Sequence, residues 1–289
     1  MQQFISFLLF FLGISQITSG QKKENALLLT KYKIIHIYDT TNRDKPGEEV
    51  MQLLISKLGS EFSSYDFEIE YANYHKARWE EIGADGTIHR GSNYPPNYMN
   101  KSRMIQYNFT NPAKSYSVYN LVYQLYFGYD FELPRIEWKI SDDTTRINDI
   151  LCQKATAFVK GRKYDVWFAP SLPFSTGPWK LHGLPGLILE AADEKKEVQF
   201  KFISIQNISH QERMIQLPPK TIQTTKEKFD ALMTAAKQNP WILGKFVGMT
   251  DQMAEQFLKD NAEMIAKQKL SNMKQKSVNI NNPIELTEK

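Results

Sequence analysis

Five histidines, one cysteine and one pair of adjacent aspartates are the side chains of this 289-residue chain best suited to chemistry: His36, His75, His89, His182, His210, Cys152, Asp142 and Asp143. Metal chemistry needs imidazoles set at helical or hairpin spacing, and no HExxH pattern or His pair at helical spacing occurs. No metal and no cofactor are therefore expected. Nucleotide and acyl-transfer chemistry leave Gly-rich signatures, and neither a P-loop, a GxGxxG run nor a GxSxG elbow is present. Asp142 and Asp143, followed by Thr144 and Thr145, read as a solvated turn rather than a paired-carboxylate site. Cys152 follows Ile150 and Leu151 with no histidine beside it, and reads as a small buried hydrophobe rather than a nucleophile. As the sole cysteine it has no disulfide partner in the chain, so packing alone must hold the core. Arg162 could clamp an anion, but between Gly161 and Lys163 it reads as a solvated turn residue. His182 could bind a ligand or move a proton; without a local partner it reads as a half-exposed loop residue. No catalytic residue is expected.

The elements that must position these residues centre on residues 167–190. Prolines 170, 173, 178 and 185 and glycines 177, 183 and 186 stand there among Trp167, Phe174, Trp179, Leu184, Leu187 and Ile188. Proline fixes φ and removes a donor, while glycine supplies backbone shapes and close approaches that other residues refuse. A stretch so rich in both and yet so apolar predicts a shaped, packed connection between strands. Strand composition ahead of it (155–159 and 164–168, joined by a turn at 160–163) and behind it (187–189 and 197–205) predicts an antiparallel meander. Pro185 and Gly186 are expected to turn the chain so that Leu187 and Leu189 enter one sheet face and Ile188 the other. Trp167, Phe174, Trp179 and His182 are candidates to line a ligand groove.

Gly183-Leu184-Pro185-Gly186-Leu187-Ile188 resembles the signature of the GLPGLI family of secreted Bacteroidetes proteins. The resemblance extends in order through Trp138-Lys139-Ile140, Cys152, Gly161-Arg162, Trp167 with Pro170, and Gly177-Pro178, with Asn282-Pro283-Ile284-Glu285-Leu286 near the other end. Asn148 to Leu151 departs from it, lacking the Gly-aromatic pair that tends to precede the cysteine. The family has no assigned activity, so the resemblance implies an exported protein and a structural motif, not a reaction.

Residues 1–20 carry an apolar run from Phe4 to Ile14 and small residues at Thr18-Ser19-Gly20, predicting a signal peptide cleaved before Gln21 and no transmembrane anchor in the mature chain. A net charge of +4 without a dense basic patch or recognition motif predicts no nucleic-acid partner. Beyond the motif, strands are expected over 26–38, 50–56, 104–109, 117–127 and 135–140, with a loop at 39–49 and a helix in the later part of 60–82. Residues 225–237 predict an amphipathic helix and residues 250 to about 274 a longer one. The expected fold is α+β: residues 21–222 an antiparallel meander, open or half-barrel-like, and residues 223–289 helices packed on or beside it. The function expected is a non-enzymatic binding or accessory role in the bacterial envelope, with an envelope protein, a peptide or an apolar ligand as partner. Docking by a sheet edge and an unrecognised hydrolase are the alternatives.

Overall fold

The computed structural model describes residues 23–80, 102, 104–110, 113–122, 125–219, 221–238, 241–244, 246, 250, 252–253, 256 and 281–286. Nearly half of these belong to one twelve-stranded sheet, and the helices are few and short. After a two-residue strand β1 (Glu24–Asn25) come β2 (Leu28–His36), β3 (Gly47–Ile55), β4 (Gly59–Ser64), β5 (Met104–Thr110), β6 (Ala113–Val122) and β7 (Leu125–Phe131). A second run follows with β8 (Lys139–Ile147), β9 (Ile150–Val159), β10 (Arg162–Ala169), β11 (Leu187–Asp193) and β12 (Val198–Asn207). Two-residue pieces β13 (Met214–Ile215) and β14 (Ile222–Gln223) complete the strands. Helix α1 (Tyr65–Glu80) follows β4, and α2 (Lys226–Gln238) and α3 (Trp241–Gly244) follow β14.

The spatial order is β14-β7-β6-β5-β4-β3-β2-β12-β11-β10-β9-β8, antiparallel throughout except at β14–β7. The sheet thus consists of two meanders joined where β2 pairs with β12 in an antiparallel ladder from Leu28↔Asn207 to His36↔Val198. Sheets of more than about ten twisted strands curl. Two long-range bonds reflect this: Tyr32 Oη on β2 donates to the Ile188 carbonyl at 2.8 Å, and Asn148 Nδ2 in the β8–β9 turn donates to the Ile203 carbonyl at 3.3 Å.

The face carrying Tyr32 is here the inner face. Its main core joins Tyr32, Met51, Leu53, Phe62, Tyr164, Val166 and Phe200 to Trp179, Leu181 and Leu184 of the Pro/Gly segment. On the outer face of the first meander, Leu29, Leu54, Tyr107 and Tyr116 are covered by Ala26, Ile208, Ile215 and Leu217, around the small β1–β13 pair. A third cluster seats Phe229 and Leu232 of α2 on Phe127 and Tyr129 of β7. The α2 start is capped by Thr225 Oγ1, which accepts from Lys228 N at 3.3 Å. The longer helix expected at 250 to about 274 lies largely outside the described residues, as do residues 1–20 and 81–101.

Several element boundaries differ from the sequence expectation. Residues 117–127 are not one strand covered on both sides: β6 ends at Val122 and β7 starts at Leu125, and their pairing places Tyr119 opposite Phe127. Gly59–Ser64 forms β4 ahead of the helix, although five of its six residues are glycine, serine or glutamate, because pairing with β3 and β5 overrides weak strand propensity. Residues 135–138 stay outside the ladders, being tied to the Pro/Gly segment instead, and β8 begins at Lys139. Asp142 and Asp143 are therefore not in a turn but in the irregular stretch of edge strand β8, where the register shifts between Ile140 and Thr144.

Candidate functional site

The Pro/Gly segment packs as a plug on the inner face. Leu187 N donates to the Leu172 carbonyl at 2.9 Å and Ile188 N to the Thr176 carbonyl at 3.0 Å, stitching its return into β11. Trp179 is almost wholly buried at φ 55, a left-handed conformation that a bulky residue rarely adopts. Its ring centroid lies 6.2 Å from that of Tyr164. Trp167 and Phe174 are partly buried against the same core. Gly186 is required by contact rather than by φ, since a Cβ there would run into the carbonyl of Ala169. Leu187, Ile188 and Leu189 do not simply alternate. Phe168 pairs with Ile188 but Trp167 with Glu190, so Leu189 is an extra bulge residue, and all three side chains are fully buried.

His182 is a positioning residue of this plug. Its Nε2 bonds the Pro134 carbonyl at 3.0 Å, and its own carbonyl accepts from Trp138 Nε1 at 2.7 Å, anchoring residues 134–138. A carbonyl only accepts, so Nε2 carries the proton, and burial lowers the pKa of the ring. Cys152 is fully buried, and burial raises its thiol to about 11, leaving no thiolate at neutral pH.

Arg162 is not a solvated turn residue. It is the first residue of β10, 4% exposed, at the centre of a closed polar hub. Nη1 donates to Asp193 Oδ2 at 2.7 Å and Glu197 Oε2 at 3.2 Å. Nη2 reaches Asn282 Oδ1 at 2.5 Å and the Pro283 carbonyl at 2.7 Å, while Nε donates to the Ile284 carbonyl at 3.1 Å. The guanidinium thereby grips residues 281–286 as a strap. Asn282 Nδ2 donates to the Ile37 carbonyl at 2.7 Å, and the Asn282 carbonyl accepts from His36 Nε2 at 2.8 Å. Asp193 Oδ1 takes the amides of Glu197 and Val198. Burial would raise Glu197, but bonds from Arg43 and Arg162 bring it below the usual carboxylate range. Burial lowers His36. Gly161, at φ 77, lies so close to Leu286 that a Cβ would stand 2.8 Å from that residue's own.

Between the plug-filled core and the α2 cluster, the inner face carries a polar strip that the sequence reading did not single out. Cross-strand partners share a face. One row runs Thr30, Leu53, Phe62, Gln106, Ser117, Tyr129 across β2 to β7; the next runs Leu28, Ile55, Ser60, Asn108, Ser115, Phe131. Ser60, Gln106, Asn108, Ser115 and Ser117 are therefore contiguous on β4, β5 and β6. Gln106 is 0% exposed, and both its amide atoms are buried without a hydrogen-bond partner, as is Asn108 Oδ1. Ser60 Oγ lies 3.4 Å from Thr176 Oγ1 of the plug, so the plug borders the strip. The alternation Met104-Ile105-Gln106-Tyr107-Asn108-Phe109 was visible in the sequence. What it concealed was that Gln106 and Tyr107, on opposite faces, are both buried.

On the outer face, Glu61 bonds Tyr107 and, at 3.4 Å, Ser63; burial raises its carboxyl to about 7. The chain continues through Gln52 to Glu68 and Arg213, which pair at 2.8 Å. Among the described residues, no group of three His, Cys, Asp or Glu side chains is arranged to hold a metal ion. No described helix is long and apolar enough to cross a membrane. His75 and His89 lie outside the residues whose side chains are described.

Residues 159–190 match a family of unknown function. Its description reads "Protein of unknown function (Porph_ging)", and the matched stretch runs from the end of β9 through Arg162 and the plug into β11. No curated protein matches the chain. Among solved structures, PNGF-II in its C2 crystal form is similar at 11% identity and TM-score 0.50, covering 71% of this chain and 32% of that one. Its P21 form gives 10% identity and TM-score 0.49 at the same coverage. This chain thus spans about a third of the length of PNGF-II, and at such identity the likeness concerns the fold alone.

Proposed function

We propose that the protein is an exported, non-enzymatic binding or accessory protein of the bacterial cell envelope, holding a ligand on the inner face of its sheet. The observation that carries this is the polar strip. A buried amide without partners destabilises a fold by about 1–3 kcal/mol, and an aliphatic side chain of similar size would avoid that loss. The Gln106 amide and, two residues on along β5, the Asn108 Oδ1 acceptor suit a ligand that supplies the missing bonds. The groove expected around Trp179 is filled by the plug itself, which moves the candidate site to the strip beside it. The GLPGLI resemblance and the apolar run from Phe4 to Ile14 support export to the envelope.

Native mass spectrometry of the mature protein recovered from its exporting host tests this. A species heavier than the bare chain is expected from wild type and is absent from Gln106→Leu; equal, unliganded masses for both would refute the reading. Docking by a sheet edge is less favoured, because edge strand β8 carries Lys139, Asp142, Asp143 and Arg146 and an irregular register, features that discourage strand addition. One observation favours a hydrolase instead: Glu61, with its raised carboxyl beside Tyr107 and Ser63, has the character of a general acid. An activity abolished by Glu61→Gln at unchanged stability would establish that second role.

A further inference from the structure

Independently of the polar strip, we propose that the seat of the strap, formed by residues 36–40 and the β9–β10 turn, is a sequence-reading peptide site. Residues 281–286 occupy it as a ligand that the chain itself carries. The amides of Asn281 and Asn282 both donate to the Tyr38 carbonyl at 3.1 Å, and that of Leu286 donates to the Lys160 carbonyl at 3.1 Å. The carbonyls of Asn282, Pro283 and Ile284 are taken by His36 and by two nitrogens of Arg162. These bonds join residues 120 or more apart in sequence, as the bonds of a bound peptide join separate chains. A guanidinium holds its donors in one rigid plane, so it fixes the register of the segment as well as its presence.

Side chains supply the sequence preference. Asn281 Oδ1 accepts from Thr40 N at 2.9 Å and Thr40 Oγ1 at 3.1 Å, while its Nδ2 donates to Asp39 Oδ1 at 3.1 Å. Asn282, 4% exposed, donates through Nδ2 to the Ile37 carbonyl and accepts through Oδ1 from Arg162. Only a carboxamide both donates and accepts in this way; a carboxylate in either place would face an acceptor. Proline at 283 has no amide proton to satisfy and holds its φ fixed. Ile284 packs against the main core, Glu285 pairs with Lys180 of the plug, and Leu286 lies against Gly161. The ligand class is thus a segment reading Asn-Asn-Pro-aliphatic-acidic-aliphatic. A partner for this seat must present that chemistry and displace the strap, which covalent attachment keeps at a high local concentration.

The test uses the full mature chain carrying Asn281→Ala and Asn282→Ala, which loosens the strap and leaves the walls of its seat intact. The probe is the labelled, capped peptide Ac-Ile-Asn-Asn-Pro-Ile-Glu-Leu-NH2, followed by fluorescence anisotropy and thermal unfolding. Saturable binding to the variant is expected, with its unfolding midpoint rising toward that of wild type. Wild type, whose seat is filled, should bind the peptide at least about tenfold more weakly. The peptide carrying Asn282→Asp should bind the variant at least about tenfold more weakly than the parent peptide. Glu285→Lys, which sets like charges against Lys180 and spares the Arg162 hub, provides a second loosened strap; it too should bind the parent peptide more tightly than wild type does. No binding to either loosened chain at millimolar peptide would overturn the proposal. So would equal affinity for wild type and the loosened chains, or for the Asn and Asp peptides.

Discussion

Four side chains illustrate how burial sets chemistry at the residue scale. Cys152 has no exposure and a thiol raised to about 11, so a thiol reagent at neutral pH should label it only once denaturant is present. Rapid labelling of the native protein would overturn its structural role. Glu61 works in the opposite sense to a salt-bridged carboxylate. Its folded pKa, about 7, lies above the ordinary 4.5, so the folded state holds the proton more tightly. The stabilisation is complete below about pH 4.5 and is lost as pH rises toward 7. Glu61→Gln should therefore gain stability relative to wild type between pH 5 and pH 8, measured as the difference of urea midpoints. A difference independent of pH would show that Glu61 titrates normally. His36 and His182 are lowered by burial, so they stabilise above their unfolded pKa and cease to do so as pH falls below about 6.5. Arg162 shows the limit of sequence reading here. A basic residue after a glycine looks like turn chemistry, and its partners Asp193, Glu197 and Asn282 are too distant in the chain to be visible as partners.

Among the elements, the plug and the strap carry most of the specificity. Gly186→Ala should destabilise by more than about 1 kcal/mol, because the new Cβ meets the Ala169 carbonyl and neither backbone can yield without disturbing the β10–β11 ladder. Thermal or urea unfolding of Gly186→Ala beside wild type checks this, and an unchanged midpoint would remove the close-approach account. Arg162→Met should cost about 3–5 kcal/mol, the usual result of leaving buried carboxylates without their cation. Asn282→Ala, which loosens the strap while keeping the ion pairs, should cost less. Equal losses for the two would place the whole contribution in the strap. The meander from β9 to β12 was legible because its strands alternate and its turns carry glycine or charge. β4 was not, since Gly-Ser-Glu-Phe-Ser-Ser has little strand character and becomes a strand only between β3 and β5. The 117–127 run misled because apolar residues on both faces suit a buried strand as well as the two arms of a hairpin.

For the whole molecule, the sequence conveyed a β-rich chain but not how its two meanders join. Nothing local in Leu28–His36 or Val198–Asn207 says that these two strands pair over their lengths, yet that pairing makes one twelve-stranded sheet out of two meanders. If the sheet is a single cooperative unit, substitutions on β3 and on β10 should shift one common transition. Leu53→Ala and Val166→Ala, both fully buried, should each cost about 2–4 kcal/mol of stability and lower one common midpoint, measured by circular dichroism and tryptophan fluorescence together. Two separated transitions would show that the meanders melt independently.

The position of the strap also gives folding a direction in time. Arg162 waits 120 residues for Asn282, and His36 waits 246. A chain made from its amino end presents every strand of the sheet before residue 281 arrives. Until then three guanidinium bonds go unanswered in a site already closed by Asp193 and Glu197. Docking of the strap cannot precede the making of residues 281–286, and a chain cut between residues 223 and 281 keeps every strand of the sheet but lacks the strap partners of Arg162 and His36. Such a fragment would be told apart from the finished protein by how readily proteases open it near β10, rather than by its strand content.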